Sequence, residues 1–373
     1  MSQWIKTKLG EIVILNYGKA LKVQDRNAGS IPVYSSGGLT GWHNKALINE
    51  QGIIIGRKGT VGKAYLTYGP FWCIDTAYYI LPNPSKYDFV FLFYLLKTLG
   101  LEELNEDSAV PGLNRDTAYS QEILLPSLPE QKAIASVLSS LDDKIDLLHR
   151  QNKTLESMAE TLFRQWFILD STGVSVSIDQ IIDFNPKRTL IKSQDATYLD
   201  MAGLSTVIFR ANGYYRRPFS SGTKFTKRDT LLARITPCLE NGKAAYIDFL
   251  DDNETGWGST EFIVMRPKKE IHPFISYIMC RNPDFKEYAE SCMEGSTGRQ
   301  RVNLDHLKKF NVNLPTEASL RIINELLDSF ESKLINNSKQ IDSLEKLRDT
   351  LLPKLMSGEV RVQYAEEAIA SVA

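Results

Sequence analysis

Basic side chains on glycine-rich or polar stretches are the residues of this chain best suited to chemistry with a ligand. They are Arg57, Lys58, Lys63 and Arg115 in the N-terminal part, and Arg216, Arg217, Lys224, Arg234, Lys243, Arg299 and Arg301 further on. An arginine fork matches guanine O6 and N7 in a DNA groove, whereas a lysine more often meets a phosphate. A solvated charge or a local salt bridge competes with contact for each of them. Arg57 and Arg234, and Lys63 and Lys243, recur at matching places in the two halves. That suits a shared structural or phosphate role better than sequence discrimination, and Trp72 and Trp257 read as core.

Enzyme chemistry is harder to assemble. Gly56–Ala64 has the look of a phosphate-binding loop, but its glycines are too far apart, Ala64 replaces the hydroxyl that would hold magnesium, and the strand-like Tyr65-Leu66-Thr67 follows instead of a helix. Asp142-Asp143-Lys144 and Glu331-Ser332-Lys333 imitate the carboxylates and lysine of a nuclease; both fall on helical pattern with no metal-binding partner in view, and they read as solvated helix charges. Asn83-Pro84, Asn185-Pro186 and Asn282-Pro283 do not continue into the proline and aromatic of an adenine methylase, and four histidines give no nucleophilic triad. No catalytic or metal-ligating set is expected.

The elements that must hold the basic residues come from a chain of 373 residues, with 43% hydrophobic and 24% charged side chains, which is ordinary for a soluble globular protein of two or three domains. Cys73, Cys238, Cys280 and Cys292 form no CxxC pair, so a reducing compartment is expected. No apolar run of membrane-spanning length occurs and Met1–Lys6 lacks a signal-peptide character, so the expectation is a cytoplasmic protein without membrane contact. Net charge is −1 overall, but residues 1–128, 129–170, 171–315 and 316–373 carry +1, −2, +3 and −3 in turn. That alternation points to a duplication.

The duplication is explicit. At an offset of 189 residues, Leu125-Pro126 meets Leu314-Pro315, Asn114 and Asp116 meet Asn303 and Asp305, and Ile134, Leu138, Leu141 and Ile145 meet Ile323, Leu327, Phe330 and Leu334. With small gaps, Arg57, Gly62-Lys63-Ala64, Trp72 and Thr76 match Arg234, Gly242-Lys243-Ala244, Trp257 and Thr260. The globular units read as α+β, with strands at Gly52–Ile55, Ala77–Leu81, Leu231–Ile235 and Glu261–Met265 and short helices at Phe89–Leu99 and Phe274–Cys280. Between them, heptad columns run Leu138, Ile145, Asn152, Ala159, Trp166 and Ile134, Leu141, Leu148, Leu155, Leu162; the second helix repeats them with Leu327, Leu334, Ile341, Arg348, Leu355 and Ile323, Phe330, Asn337, Leu344, Leu351. Asn152 and Asn337 occupy unlike columns, which meet only in an antiparallel pair, so these two residues are expected to set the register of an antiparallel coiled coil with pseudo-twofold symmetry. Each helix of roughly 38 residues would be about 57 Å long, enough to act as a spacer between two readers of a twofold-symmetric duplex.

The chain as a whole resembles the specificity (S) subunit of type I restriction-modification systems. The resemblance is carried by the alternation of globular unit and long helix, the entry Leu124–Ile134, the exit Thr161–Phe167, the terminal Leu351–Val360, and the runs Gly52–Ala64 and Ala109–Asn114. The second helix departs from it, with Thr316-Glu317-Ala318 in place of a proline-rich entry ending in Glu-Gln. The resemblance implies target-recognition domains at 1–128 and 171–315, conserved helices at 129–170 and 316–358, and a tail at 359–373. It also implies a non-catalytic reader of a bipartite, asymmetric site in double-stranded DNA. Its partners would be two methyltransferase subunits using S-adenosylmethionine, and restriction subunits using ATP and Mg; no cofactor is implied for this chain itself. A stand-alone DNA-modifying enzyme and a coiled-coil scaffold without DNA contact remain the competing classes.

Overall fold

The computed structural model describes residues 4–104, 112–170, 172–296 and 298–370; the Ala109–Pro111 portion of the run named above lies outside them. The chain divides into two compact units, residues 1–146 with 340–373, and residues 147–339.

In the first unit β1 (Ile5–Lys8), followed by the short α1 (Leu9–Ile12), pairs antiparallel with β9 (Glu122–Leu125). One sheet has the order β2 (Asn16–Tyr17), β8 (Ala77–Ile80), β5 (Gly52–Gly56), β6 (Ala64–Thr67); a second has β4 (Gly38–His43), β3 (Ile31–Ser35), β7 (Trp72–Cys73). The Ile53-Ile54-Ile55 run is fully buried, as a central strand covered on both faces demands. Helix α2 (Phe89–Thr98) starts where the Asp88 carboxylate accepts from the Phe91 N–H, and α3 (Arg115–Tyr119) where Asn114 accepts from the Asp116 N–H.

The second unit repeats this topology strand for strand. Strand β10 (Val174–Ser177) pairs with β21 (Asn311–Leu314) as β1 does with β9. The sheet of β11 (Ile182–Phe184), β18 (Phe262–Pro267), β15 (Thr230–Ala233) and β16 (Ala244–Tyr246) copies the first four-stranded sheet. The sheet of β13 (Tyr215–Pro218), β12 (Asp195–Leu199), β17 (Thr255–Gly258) and β14 (Thr223–Thr226) copies the three-stranded one and adds β14. A small hairpin, β19 (Met293–Glu294) with β20 (Arg301–Val302), and helices α5 (Phe274–Arg281), α6 (Pro283–Ser291) and α7 (Leu304–Leu307) complete it. Asn303 caps α7 through the Asp305 N–H as Asn114 caps α3, so the matched Asn and Asp pairs do the same work. The Gly56 N–H donates to the Lys63 carbonyl and the Ala233 N–H to the Lys243 carbonyl, and Gly62 and Gly242 both sit at positive φ, +76° and +72°. Trp72 and Trp257 lie on equivalent parallel-paired strands, though only Trp257 is fully buried. One match shifts: Arg57 N–H donates to Thr76 O and Arg234 N–H to Glu261 O, so the partner of Thr76 is Glu261 rather than Thr260.

Gly56–Ala64 is the turn between antiparallel β5 and β6, which excludes the strand–loop–helix geometry of a phosphate loop. A Cβ on Gly56 would lie 1.9 Å from the Thr60 carbonyl oxygen, so the tight turn itself requires this glycine.

Two long helices contribute to both units: α4 (Leu128–Phe163), ending in a π-helical turn at Arg164–Leu169, and α8 (Glu317–Ser357), followed by α9 (Val362–Ala370). The heptad columns form the buried stripe, with Leu138, Leu141, Ala159, Ile323, Leu327, Leu334 and Leu355 at 2% exposure or less. Thr316 accepts the Ser319 N–H, an ordinary N-cap that replaces the missing entry motif. Gln131, from the first entry motif, is buried and donates to the Pro126 carbonyl while accepting the Asp88 N–H at the start of α2. On the second helix Asn324 ties to the segment before α5, accepting from the His272 N–H and donating to the Glu270 carbonyl.

In the second unit Asn337 Nδ2 donates to Asn152 Oδ1 at 2.9 Å, and Asn152 Nδ2 to Ser338 Oγ at 3.4 Å. In the first, Arg348 Nη1 donates to Asp142 Oδ1 at 2.8 Å. Sequence number falls along α4 as it rises along α8, which is the antiparallel sense. Replacing Asn152 alone with leucine leaves the buried Asn337 amide only its longer bond to Gln151 Oε1, at 3.3 Å, and is expected to cost about 1–3 kcal/mol. Replacing both is expected to restore most of the loss. Denaturant unfolding of the two variants checks this, and equal losses in the single and double variants would contradict it.

Candidate nucleic-acid interface

Residues on one face of a strand alternate with those on the other, and β13 uses this to separate its two arginines. Tyr215, Tyr198, Trp257 and Lys224 are register partners across β13, β12, β17 and β14, forming one continuous row. Their rings interlock: Tyr198 lies 5.4 Å from Tyr215 and 4.5 Å from Trp257, and Phe219 packs edge-on to Trp257 at 5.3 Å. Arg217 lies over this row, its guanidinium carbon 5.1 Å from the Tyr198 ring and 5.6 Å from Trp257, while Lys224 Nζ sits 4.9 Å from the Phe219 ring. Arg216 points to the opposite face. There Asp195 takes its Nε at 2.8 Å and Glu254 its Nη1 at 3.2 Å, while the Asp195 carbonyl takes Nη2. The bond to Asp195 raises the already high Arg216 value further.

In the first unit Arg57 and Arg115 converge on Tyr17, with guanidinium carbons 5.0 and 5.5 Å from its ring. Arg57 also donates to the Asp75 carbonyl and borders Tyr78, whereas Arg115 borders Tyr119. Lys58 makes a backbone bridge to Gly112. Lys63 stands apart, exposed on the β5–β6 turn.

The other residues singled out in the second unit are held differently. Arg234, the counterpart of Arg57, donates to the Val302 carbonyl. Arg301 makes a bidentate pair with Glu261, whose carboxyl it holds below the usual range; Arg299 adds a weaker charge there. Lys243 Nζ is tied to the Met201 carbonyl at 3.1 Å. The structure thus brings Arg217 and Lys224 together, groups Arg234, Arg299 and Arg301 around Glu261, and leaves Arg216 and Lys243 in local ties. Tyr17, Tyr198, Tyr215 and Phe219 were not singled out from sequence; the interleaving in Tyr214-Tyr215-Arg216-Arg217-Pro218-Phe219 is the signal that marks Tyr215 and Phe219.

Asp143, Lys144 and Lys333 are exposed, but the helix carboxylates Asp142 and Glu331 are not solvated charges. Asp142 accepts from Tyr94 Oη at 2.7 Å in addition to Arg348, and Glu331, only 6% exposed, accepts from Tyr246 Oη at 2.6 Å and from Arg228. Each ties its helix to the globular part of its own unit, and that internal function is why the sequence places a carboxylate there. Glu156 belongs to the same pattern, accepting from Tyr277 Oη at 2.8 Å, with Arg281 Nε donating to that oxygen in turn. His272, Asp328 and Glu331 converge closely enough to hold a metal ion. The Arg228 guanidinium donates to both carboxylates and borders His272 Nε2, so the group is an ion-pair network. His272 Nδ1 accepts the Phe274 N–H, leaving Nε2 to donate to Asp328, and burial lowers its proton affinity. Among the described residues no helix is long and apolar enough to cross a membrane.

A family model for the type I restriction modification DNA specificity domain matches residues 1–157 and again 172–346. The MjaIX specificity subunit of Methanocaldococcus jannaschii is 27% identical over 73% of this chain and 69% of its own length. The EcoEI specificity subunit of Escherichia coli is 26% identical over 51% of this chain and 34% of its own length. The crystal structure of the S subunit of a type I restriction-modification system from M. genitalium shares the fold, with a TM-score of 0.63 at 20% identity, covering 95% of this chain and 96% of that one.

Burial raises the Glu156 carboxyl to about 7, against the Tyr277 and Arg281 contacts that lower it. A folded-state value above the unfolded one gives stability that is complete below the unfolded value, near 4.5, and is lost as pH rises through about 7. Glu156→Gln should therefore match the parent protein at pH 4.5 and exceed it at pH 8, by up to about 3 kcal/mol. Urea unfolding of both proteins across that range reads the difference, and His272, present in both, cancels. A variant that is less stable at pH 8 would show that Glu156 is held as the anion.

Proposed function

The chain belongs to the type I restriction modification DNA specificity domain family, and from that premise we propose that it is the DNA-reading subunit of a type I restriction-modification complex, with each unit reading one half of a bipartite, asymmetric site. The observation that carries this is the duplication: one strand topology occurs twice, each copy leading into a long helix, and each presents arginines on aromatic rings at its surface. Two copies with unlike surface residues suit two unlike half-sites. The helices set the spacing between them and offer docking length for two methyltransferase subunits, with restriction subunits joining that core. S-adenosylmethionine, ATP and Mg belong to those partners, and the complex works in the cytoplasm. The stand-alone enzyme is disfavoured because the nuclease-like carboxylates are engaged in tyrosine and arginine ties, and the bare scaffold because arginines and a lysine lie over aromatic rings at the surface.

Footprinting and binding-site selection on the chain assembled with its methyltransferase partners should return two short conserved blocks separated by a fixed gap of unspecified bases. A single contiguous block, or none, contradicts the proposal. The purified chain alone should transfer no methyl group from S-adenosylmethionine to DNA and cut none. Inserting one heptad into α4 and α8 at matched layers lengthens the helix pair by about 10 Å and should widen the preferred gap by about three base pairs. An unchanged gap with unchanged blocks would remove the helices from that role.

A further inference from the structure

This inference rests on the DNA-reading function proposed above and concerns which side chains discriminate bases. A guanine is recognised in the major groove by two parallel N–H donors meeting O6 and N7. A guanidinium already spending its donors on protein oxygens must break those bonds first, and a neighbouring carboxylate repels the phosphates on the approach. Contact with an aromatic ring has neither consequence: it engages the cation's charge and leaves its edge donors open.

That criterion divides the arginines sharply. Arg57 donates to Asp75, Arg234 to Val302, Arg301 to Glu261, and Arg216 spends three nitrogens on Asp195 and Glu254. Arg299 lies on no described ring, and Glu261 faces its charge. Arg115 and Arg217 differ from all of these. Both are exposed, each lies over two aromatic rings, and among the described residues neither guanidinium donates to a protein acceptor. One is in each unit.

We propose that Arg115 and Arg217 are the base-discriminating arginines, each presenting an open donor fork to a guanine in the half-site its own unit reads, with Tyr17 and Tyr119, and Tyr198 and Trp257, as the platforms that position them. Arg216 is a structural strap on the far face of the same strand. Restraining the guanidinium on rings before DNA arrives reduces the ordering that binding must impose, at no cost in donors.

The test uses lysine replacements, which keep the charge and remove the fork. Arg217→Lys in the full chain with its methyltransferase subunits should relax preference at one G·C pair of one half by about tenfold to hundredfold. The other half and the salt dependence of binding should stay as they were. Arg115→Lys should do the same in the opposite half, and Arg216→Lys should leave base preference untouched. Each side chain is exposed, so thermal unfolding should match the parent protein and show that the fold survives. If the parent protein selects a bipartite site and the Arg115 and Arg217 variants keep every preference, or Arg216→Lys relaxes one, the assignment is wrong while the DNA-reading function stands. If the parent protein selects no sequence, that function fails and this assignment with it.

Discussion

The pairing of the long helices depends on one buried amide pair. Helices α4 and α8 meet along a stripe of leucine and isoleucine, and such a stripe alone is nearly indifferent to sliding by a heptad. Asn152 and Asn337 end that indifference, because a register that separates them breaks the hydrogen bond between two buried amides, at a cost of about 1–3 kcal/mol. In the first unit the seam cation Arg348 donates across the pair to Asp142 and along its own helix to Asp349.

The helices are fastened to the globular parts by a second device, repeated three times: a carboxylate on the helix receives a tyrosine hydroxyl. Tyr94 with Asp142, Tyr246 with Glu331 and Tyr277 with Glu156 all follow it. A tyrosine brings a large apolar body into the packing and a single donor at its tip, so it fills the interface and meets the carboxylate without adding a second charge. At Glu156 burial favours the protonated form; at Glu331, where Arg228 stands beside it, the guanidinium balances the anion. Local composition decides which solution is used, and the geometry of the tie is common to all three.

The seam, its antiparallel sense, the repeat and the main strands were legible in the sequence because each is a periodic or duplicated pattern, recorded in residue spacing. The roles of individual charges were not, because a side chain's partner is a long-range fact. Asp142 and Glu331 sit on outwardly ordinary helical surface, and only the folded positions of Tyr94 and Tyr246 turn them into anchors. Arg216 and Arg217 are neighbours of identical type, and strand alternation alone separates them onto opposite faces. The one-residue shift from Thr260 to Glu261 has the same origin, since the register of Arg234 is set by a backbone hydrogen bond that similarity of residue type does not record.

The duplication also explains how one scaffold can carry two different sets of surface side chains. The four-stranded sheets agree down to their glycine conformations, because the β5–β6 and β15–β16 turns depend on backbone geometry that few residues satisfy. The second sheets have no such constraint on their outer rows. Where the second unit has Tyr215, Tyr198, Trp257 and Lys224 in register, the first has Gly41, Val33 and Trp72, with no described strand matching β14. The first unit instead gathers its aromatic and cationic residues at Tyr17, where β2 and α3 bring Arg57 and Arg115 together. The backbone that both copies must share is held by hydrogen bonds and buried strands, so the side chains above it are free to diverge without disturbing the helices that the copies have in common.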